Sequence, residues 1–184
     1  MSEKHELYDE LIKRGFNSSE INQFLKGLEH GVVFPRYLKD VEIMRKLRMI
    51  CAEHDYKFSL AQQKIILNGL LSDIDVSIYA DPKYKARQMD IIYCGLVHGV
   101  DITPYCTKTI LNQWTDYLTE LRLGLMHGLN EEQMKSLVDI CENYNVRVAK
   151  EYRYCLEDGI DIDTLSKVDK SSCKDLHMLR KKWS

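Results

Sequence analysis

The stretch GLVHGVDITPY, Gly95 to Tyr105, reads as the last turn of a helix, a glycine that reverses the chain, and a short exit segment. Gly99 stands where a helix C-cap needs left-handed backbone, and Val100 after it fits the apolar contact of a Schellman ending. Imperfect copies recur: GLEHGVVFPRY from Gly27, GLLSDIDVSIY from Gly69, GLMHGLN from Gly124 and CLEDGIDIDTL from Cys155, with CAEHDY at Cys51 and CENYNV at Cys141 as weaker ones. Four residues after each anchor stands Gly31, Asp55, Asp73, Gly99, Gly128, Asn145 or Gly159, all residue types that tolerate positive φ. An apolar residue follows each time, from Val32, Tyr56 and Ile74 to Val100, Leu129, Val146 and Ile160. The repeated unit is a helix terminus, and the fold class it dictates is all-α.

Each anchor is glycine or cysteine, a small side chain inside an otherwise good helical segment. Glycine there costs about 1 kcal/mol relative to alanine, so the repetition predicts that a neighbouring helix crosses closely over the site, with alanine tolerated at Gly95 and leucine overpacked. Start signals agree with the stop signals. Asn17 with Glu20, Ser59 with Gln62 and Asn130 with Gln133 are spaced for capping boxes, and Asp81-Pro82 reads as an N-cap with proline at N1. Helices are expected near 4–14, 18–30, 38–54, 60–72, 83–98, 108–127, 131–144 and 147–158, with a further one from Ser171. Short links favour antiparallel neighbours, so the architecture is an irregular array of short helical hairpins with at least seven helices, or a stricter solenoid of the same units. A helical-repeat domain is expected over 1–166, and a basic tail or final helix over 167–184.

With 184 residues and 45% hydrophobic content the chain can bury a real core. Lys plus Arg number 26 against 28 Asp plus Glu, which marks neither a strongly basic nucleic-acid binder nor a polyanionic mimic. The N-terminal MSEKHELYDELIKRG has no apolar signal core, and the run IILNGLL from Ile65 is far too short to span a bilayer, so a soluble, cytoplasmic protein is expected. The six cysteines form no C-x-x-C pair and read as reduced thiols, three of them as packing residues at anchors. Cys106 and Cys173 are expected to be exposed.

Candidate chemistry is thin. His30, His54, His98 and His127 share one place in the unit, but equivalent positions on successive helices lie about 8–10 Å apart, too far to share one ion. A histidine in the last turn instead suits the helix dipole. The DGIDID stretch from Asp158 lacks the glycine and terminal glutamate of an EF-hand loop, and no G-K-[ST], G-x-S-x-G or H-E-x-x-H occurs. A non-enzymatic protein with no metal and no cofactor is expected. Tyr37, Tyr79 and Tyr105 stand ten residues past their anchors, where they act either as lids packed on each unit or as a recognition stripe. Arg180, Lys181 and Lys182 close a basic segment that either contacts phosphate or keeps the end solvated. These six residues are the candidate partner-binding set.

DVSIYADPKYKARQMDIIYCGLVHGVDITPY, Asp75 to Tyr105, resembles a repeat of proteins carried by mobile elements of gut Gram-positive bacteria. Its pattern is Q-M-x-x-I-x-x-G-L-x-x-G-[VL]-D-[VI]-[ST]-x-Y-A-D-P. Gln88, Met89, Ile92, Gly95, Leu96, Gly99, Val100, Asp101, Ile102, Thr103 and Tyr105 match it, and Tyr79 to Pro82 supply its Y-A-D-P. The pattern brings no catalytic residues. A free-standing chain of this size is similar to the small inhibitors that mobile elements deploy against host immunity, type II anti-CRISPR proteins among them. The resemblance implies a binding protein whose partner is a Cas9–guide RNA complex, with a scaffold for another mobile-element protein or a weak nucleic-acid binder as alternatives, and with homodimer formation left open.

Overall fold

The structure, a computed structural model, describes residues 3–113 and 115–183. Among them are eleven α-helices and no strand, which agrees with the all-α expectation. They are α1 (Glu3–Lys13), α2 (Ser18–Glu29), α3 (Val41–Glu53), α4 (Leu60–Leu71), α5 (Ala86–Val97), α6 (Lys108–Asn112), α7 (Asp116–Met126), α8 (Glu131–Asn143), α9 (Val146–Glu157), α10 (Ile162–Ser166) and α11 (Cys173–Trp183). The chain divides into two compact units, residues 1–89 and 90–184. The expected division at 166/167 thus falls inside the second unit, where the basic segment forms a helix, α11, packed on α9.

In the first unit consecutive helices pack in a row, α1 on α2, α2 on α3 and α3 on α4. In the second, α7, α8 and α9 pack on one another. The apolar positions explain both. Met44, Leu47 and Cys51 of α3, at i, i+3 and i+7, are fully buried, as are Met134, Leu137 and Cys141 at the same spacing in α8.

The three capping boxes form as the spacing predicts: Glu20 N–H donates to Asn17 at 3.0 Å, Gln62 N–H to Ser59 at 3.3 Å, and Gln133 N–H to Asn130 at 3.0 Å. The Asp81-Pro82 N-cap does not form. Asp81 Oδ1 instead accepts from Lys83 N–H at 2.9 Å in a turn, and α5 begins only at Ala86. The expected 108–127 helix is two helices, α6 and α7, and Trp114 between them lies outside the described residues.

Six of the seven anchors close a Schellman ending, the residue five places on donating its N–H to the anchor carbonyl: Val32 to Gly27 at 2.9 Å, Tyr56 to Cys51 at 2.7 Å, Ile74 to Gly69 at 2.9 Å, Val100 to Gly95 at 3.0 Å, Leu129 to Gly124 at 3.0 Å and Ile160 to Cys155 at 3.0 Å. The Cys141 copy differs. Asn145 has φ −76° and caps the start of α9, accepting from Arg147 N–H and Val148 N–H, so the same residue type serves the opposite helix end. A copy absent from the sequence reading closes α1, where Phe16 N–H donates to Leu11 O at 3.0 Å and Gly15 has φ 75°.

The anchor glycines are crowded by their own exit segments, which corrects the expectation of a close helix crossing. A Cβ on Gly95 would stand 2.8 Å from the Val100 carbonyl oxygen, and one on Gly27 2.8 Å from that of Val32. Alanine at Gly95 therefore meets backbone and is not tolerated freely. Gly124 has the helix-packed environment, with Met134 and Leu137 of α8 within 3.3 Å, and Gly95 has Arg122 of α7 at 3.7 Å beside its own exit.

The C-cap glycines obey a different constraint. Nothing lies within 4 Å of a Cβ built on Gly99, yet its φ is 78°. Gly99→Ala is expected to lower stability by about 1–2 kcal/mol through left-handed strain alone. Asp73, already at φ 56°, is expected to accept glycine without loss. Thermal melts of the two variants check the contrast, and an unchanged Gly99→Ala melt would show that the backbone there relaxes.

Candidate functional site

The exit segments do more than end helices, because they form the walls of the grooves on both units. Two buried glutamines tie down exit segments in the first unit. Gln63 Nε2 donates to Gly31 O and Phe58 O, each at 3.1 Å, and its Oε1 accepts from Val33 N–H at 3.0 Å, which sews the exit of α2 to α4. Gln62 Nε2 donates to Tyr84 O at 2.7 Å and ties down the far end of the α4 exit. Between α3 and that exit runs a groove of about 360 Å³, with Met49, Ile50, Leu70, Val76 and Ala80 as its apolar lining and Lys46, Glu53, His54, Asp75 and Ser77 as its polar groups. Met49 is 53% exposed, so an apolar side chain in this groove faces solvent. Lys46 and Glu53 lie two turns apart on α3 with Met49 and Ile50 between them.

The second unit repeats the arrangement. A groove of about 440 Å³ lies between the exit of α5 and helix α8, with Pro104, Tyr105 and Thr107 on one wall and Glu131, Lys135 and Val138 on the other. Thr107 is fixed by donating to Glu142 Oε1 at 2.5 Å, and Lys135 pairs with Glu131 at 2.6 Å. The hydrogen bond and the charge of that pair raise the Lys135 pKa, so the ammonium stays charged at the edge of the groove.

The expected partner-binding set separates into three kinds. Tyr37 is 77% exposed and does not pack back as a lid. Tyr79 has no accessible surface and is such a lid, its hydroxyl donating to Ile65 O at 3.3 Å, so it lies in the packing and away from any contact surface. Tyr105 is half-buried and lines the second groove. Arg180 is engaged with Asp158 and lies over the Tyr154 ring at 4.7 Å, while Lys181 and Lys182 are exposed on α11. Tyr79 is buried, so the three tyrosines do not form a recognition stripe. The groove residues of α3 and α8 were not expected from the sequence; the one available signal was Met49, an apolar residue amid the charges of α3.

The histidines take individual local roles. His30 stacks on Tyr56 with centroids 4.7 Å apart, His54 meets Phe58 edge-on at 5.1 Å, His98 Nδ1 lies 2.6 Å from Cys94 O, and His127 Nδ1 lies 2.8 Å from Glu157 Oε1. No group of three His, Cys, Asp or Glu side chains is placed to hold a metal among the described residues.

Four of the thiols are poor nucleophiles. Burial pushes Cys51 and Cys155 up to about 11 and Cys106 and Cys141 up to about 12, so none of these four is a thiolate at neutral pH. Cys106 and Cys173 are partly buried and not exposed as expected, Cys106 donating its thiol to Ile102 O at 3.3 Å.

Among the described residues no helix is long and apolar enough to cross a membrane. Compared with protein-family models, with curated proteins and with solved structures, the chain matches none.

Proposed function

We propose that this chain is a non-enzymatic binding protein that acts by occupying a surface of another macromolecule, and that its target is a Cas9–guide RNA complex. The observation that carries the binding reading is the pair of exit-walled grooves, above all the one beside α3 where Met49 is 53% exposed. The choice of Cas9 follows the resemblance of Asp75 to Tyr105 to the mobile-element repeat. An inhibitor of this kind needs only a rigid surface, held by caps and glutamine ties, that blocks DNA entry or traps one domain arrangement.

Target cleavage by several Cas9 orthologues at rising inhibitor-to-effector ratio tests the reading. Cleavage by at least one orthologue is expected to fall in proportion to added protein and to stop at a fixed stoichiometry, unaffected by a chelator. Loss of cleavage at sub-stoichiometric protein would mean turnover and an enzyme. No effect on any orthologue would leave the scaffold reading.

A second reading has one observation in its favour. Lys174, Lys181 and Lys182 are exposed along α11 and give it a basic outer side suited to phosphate. A mobility shift of plain duplex DNA that weakens steeply with salt would favour it over the protein target.

A further inference from the structure

Helix α11 is held in the second unit by a different kind of contact from its neighbours. Helices α7, α8 and α9 meet through fully buried apolar side chains, Leu118, Leu121, Leu137, Ile140, Ala149 and Tyr152 among them. Helix α11 buries one, Leu176, while Met178 and Trp183 remain 48% and 49% exposed. Leu179 is half-buried, and charge does the rest. Arg180 Nε donates to Asp158 Oδ2 in a short bond, Arg180 Nη1 stands 3.9 Å and His177 Nδ1 3.5 Å from Glu151 Oε2, and the guanidinium covers Tyr154. Glu151 Oε2 is buried without a hydrogen bond, so Arg180, and His177 when it is protonated, are what answers its charge. Beneath the helix lies Cys155, with no exposed surface, donating its thiol to Leu176 O at 3.6 Å.

We propose that α11 is a strap that lifts from α9 while the rest of the second unit stays folded, and that the pairs of Arg180 and His177 with Asp158 and Glu151 set its grip. Ordering the backbone of eleven residues is a large entropic cost to set against one buried leucine and one half-buried. Partly exposed ion pairs add little and are screened by salt. An element with this balance belongs to the low-stability end of a fold and opens separately. Lifting bares Cys155 and the side of α9 around it, a surface the docked molecule hides. The inference is independent of the Cas9 reading.

The thiols provide the test. Cys155 reports on the strap, and Cys141, equally buried in the same unit but away from α11, reports on general unfolding. The whole protein is treated with a maleimide, and modification is followed at each cysteine by peptide mass spectrometry from low salt to about 1 M sodium chloride, where screening reaches about 3 Å. Cys155 is expected to react faster than Cys141 throughout and to accelerate with salt while Cys141 does not. Arg180→Ala is expected to raise the Cys155 rate about tenfold, the sum of its ion pairs and its cation–π contact. Lys182→Ala, on the outer side of the same helix, is expected to leave it unchanged. Equal rates at Cys155 and Cys141 at every salt concentration in the unaltered protein would overturn the strap, because it must open alone. A Cys155 rate indifferent to both salt and Arg180→Ala would overturn the role of the ion pairs.

Discussion

Arg153→Ala is expected to lower stability by about 3–5 kcal/mol, a large share of the 5–15 kcal/mol or so that holds a typical folded protein. The side chain is 2% exposed, on α9. Its Nε donates to Glu120 Oε2 of α7 at 2.8 Å, its Nη1 makes a short bond to Glu157 Oε1, and its guanidinium lies 4.4 Å from the centre of the Tyr154 ring. Burial opposes the charge, but the bonds to Glu120 and Glu157 outweigh it and hold the guanidinium pKa above its usual value. Removing the arginine leaves two carboxylates without their cation, Glu120 9% and Glu157 16% exposed, with the His127 ring beside Glu157. The large loss is the cost of the stranded charges and does not measure a large gain from the pairs themselves. Arg153→Met combined with Glu120→Leu is therefore expected to recover much of it. Urea denaturation followed by circular dichroism measures both variants. A loss below about 1 kcal/mol for Arg153→Ala would show that water reaches the carboxylates and that the site is not buried in solution.

This network was not legible in the sequence, and the reason is physical. Arg153, Glu120 and Glu157 are ordinary charged residues whose types permit a solvated face as readily as a buried pair, and only the packing of α7 against α9 decides between them. Helix ends are legible because they are local. A positive φ, an N–H five residues on and a capping side chain three residues on are all fixed within one turn of chain, so the Schellman endings at Gly27, Gly69 and Gly95 could be read directly. The local misreadings are equally instructive. Asn145 is competent at either end of a helix, and the immediate start of α9 decides its role. Leu11 hid the ending of α1 because a leucine stands where the other copies carry a small residue. The grooves were hidden for a third reason, since each joins an exit segment to a helix distant in sequence. Tyr37, Tyr79 and Tyr105 share a sequence position, but the exit after Gly27 turns away before Tyr37 while the exit after Gly69 folds back along α4.

That difference between the exits leads to the other large effect, at Gly69. A Cβ there would fall on Tyr79 Oη and stand 2.6 Å from Val76 Cγ1, and both side chains are buried, Tyr79 with no exposure and Val76 with 7%. Gly69→Ala is expected to cost about 2–3 kcal/mol, because the exit of α4 must shift to make room. Tyr79→Phe alone gives up the bond to Ile65 O at 3.3 Å, a loss of about 1 kcal/mol. The two changes should not add. Removing the hydroxyl removes the atom that the new methyl meets first, so Gly69→Ala is expected to cost about 1 kcal/mol less in the Tyr79→Phe background, with Val76 accounting for what remains. Urea midpoints of the four proteins of this cycle give the coupling directly. Additive losses would mean that the methyl is accommodated by movement of α4 itself, and that Tyr79 is not the lid that holds the exit in place. A positive coupling would tie glycine at this anchor to tyrosine in its exit. It would also explain why the copy whose tyrosine is exposed, Tyr37, carries Phe34 against its anchor instead, where the ring reaches Gly27 from within the same exit.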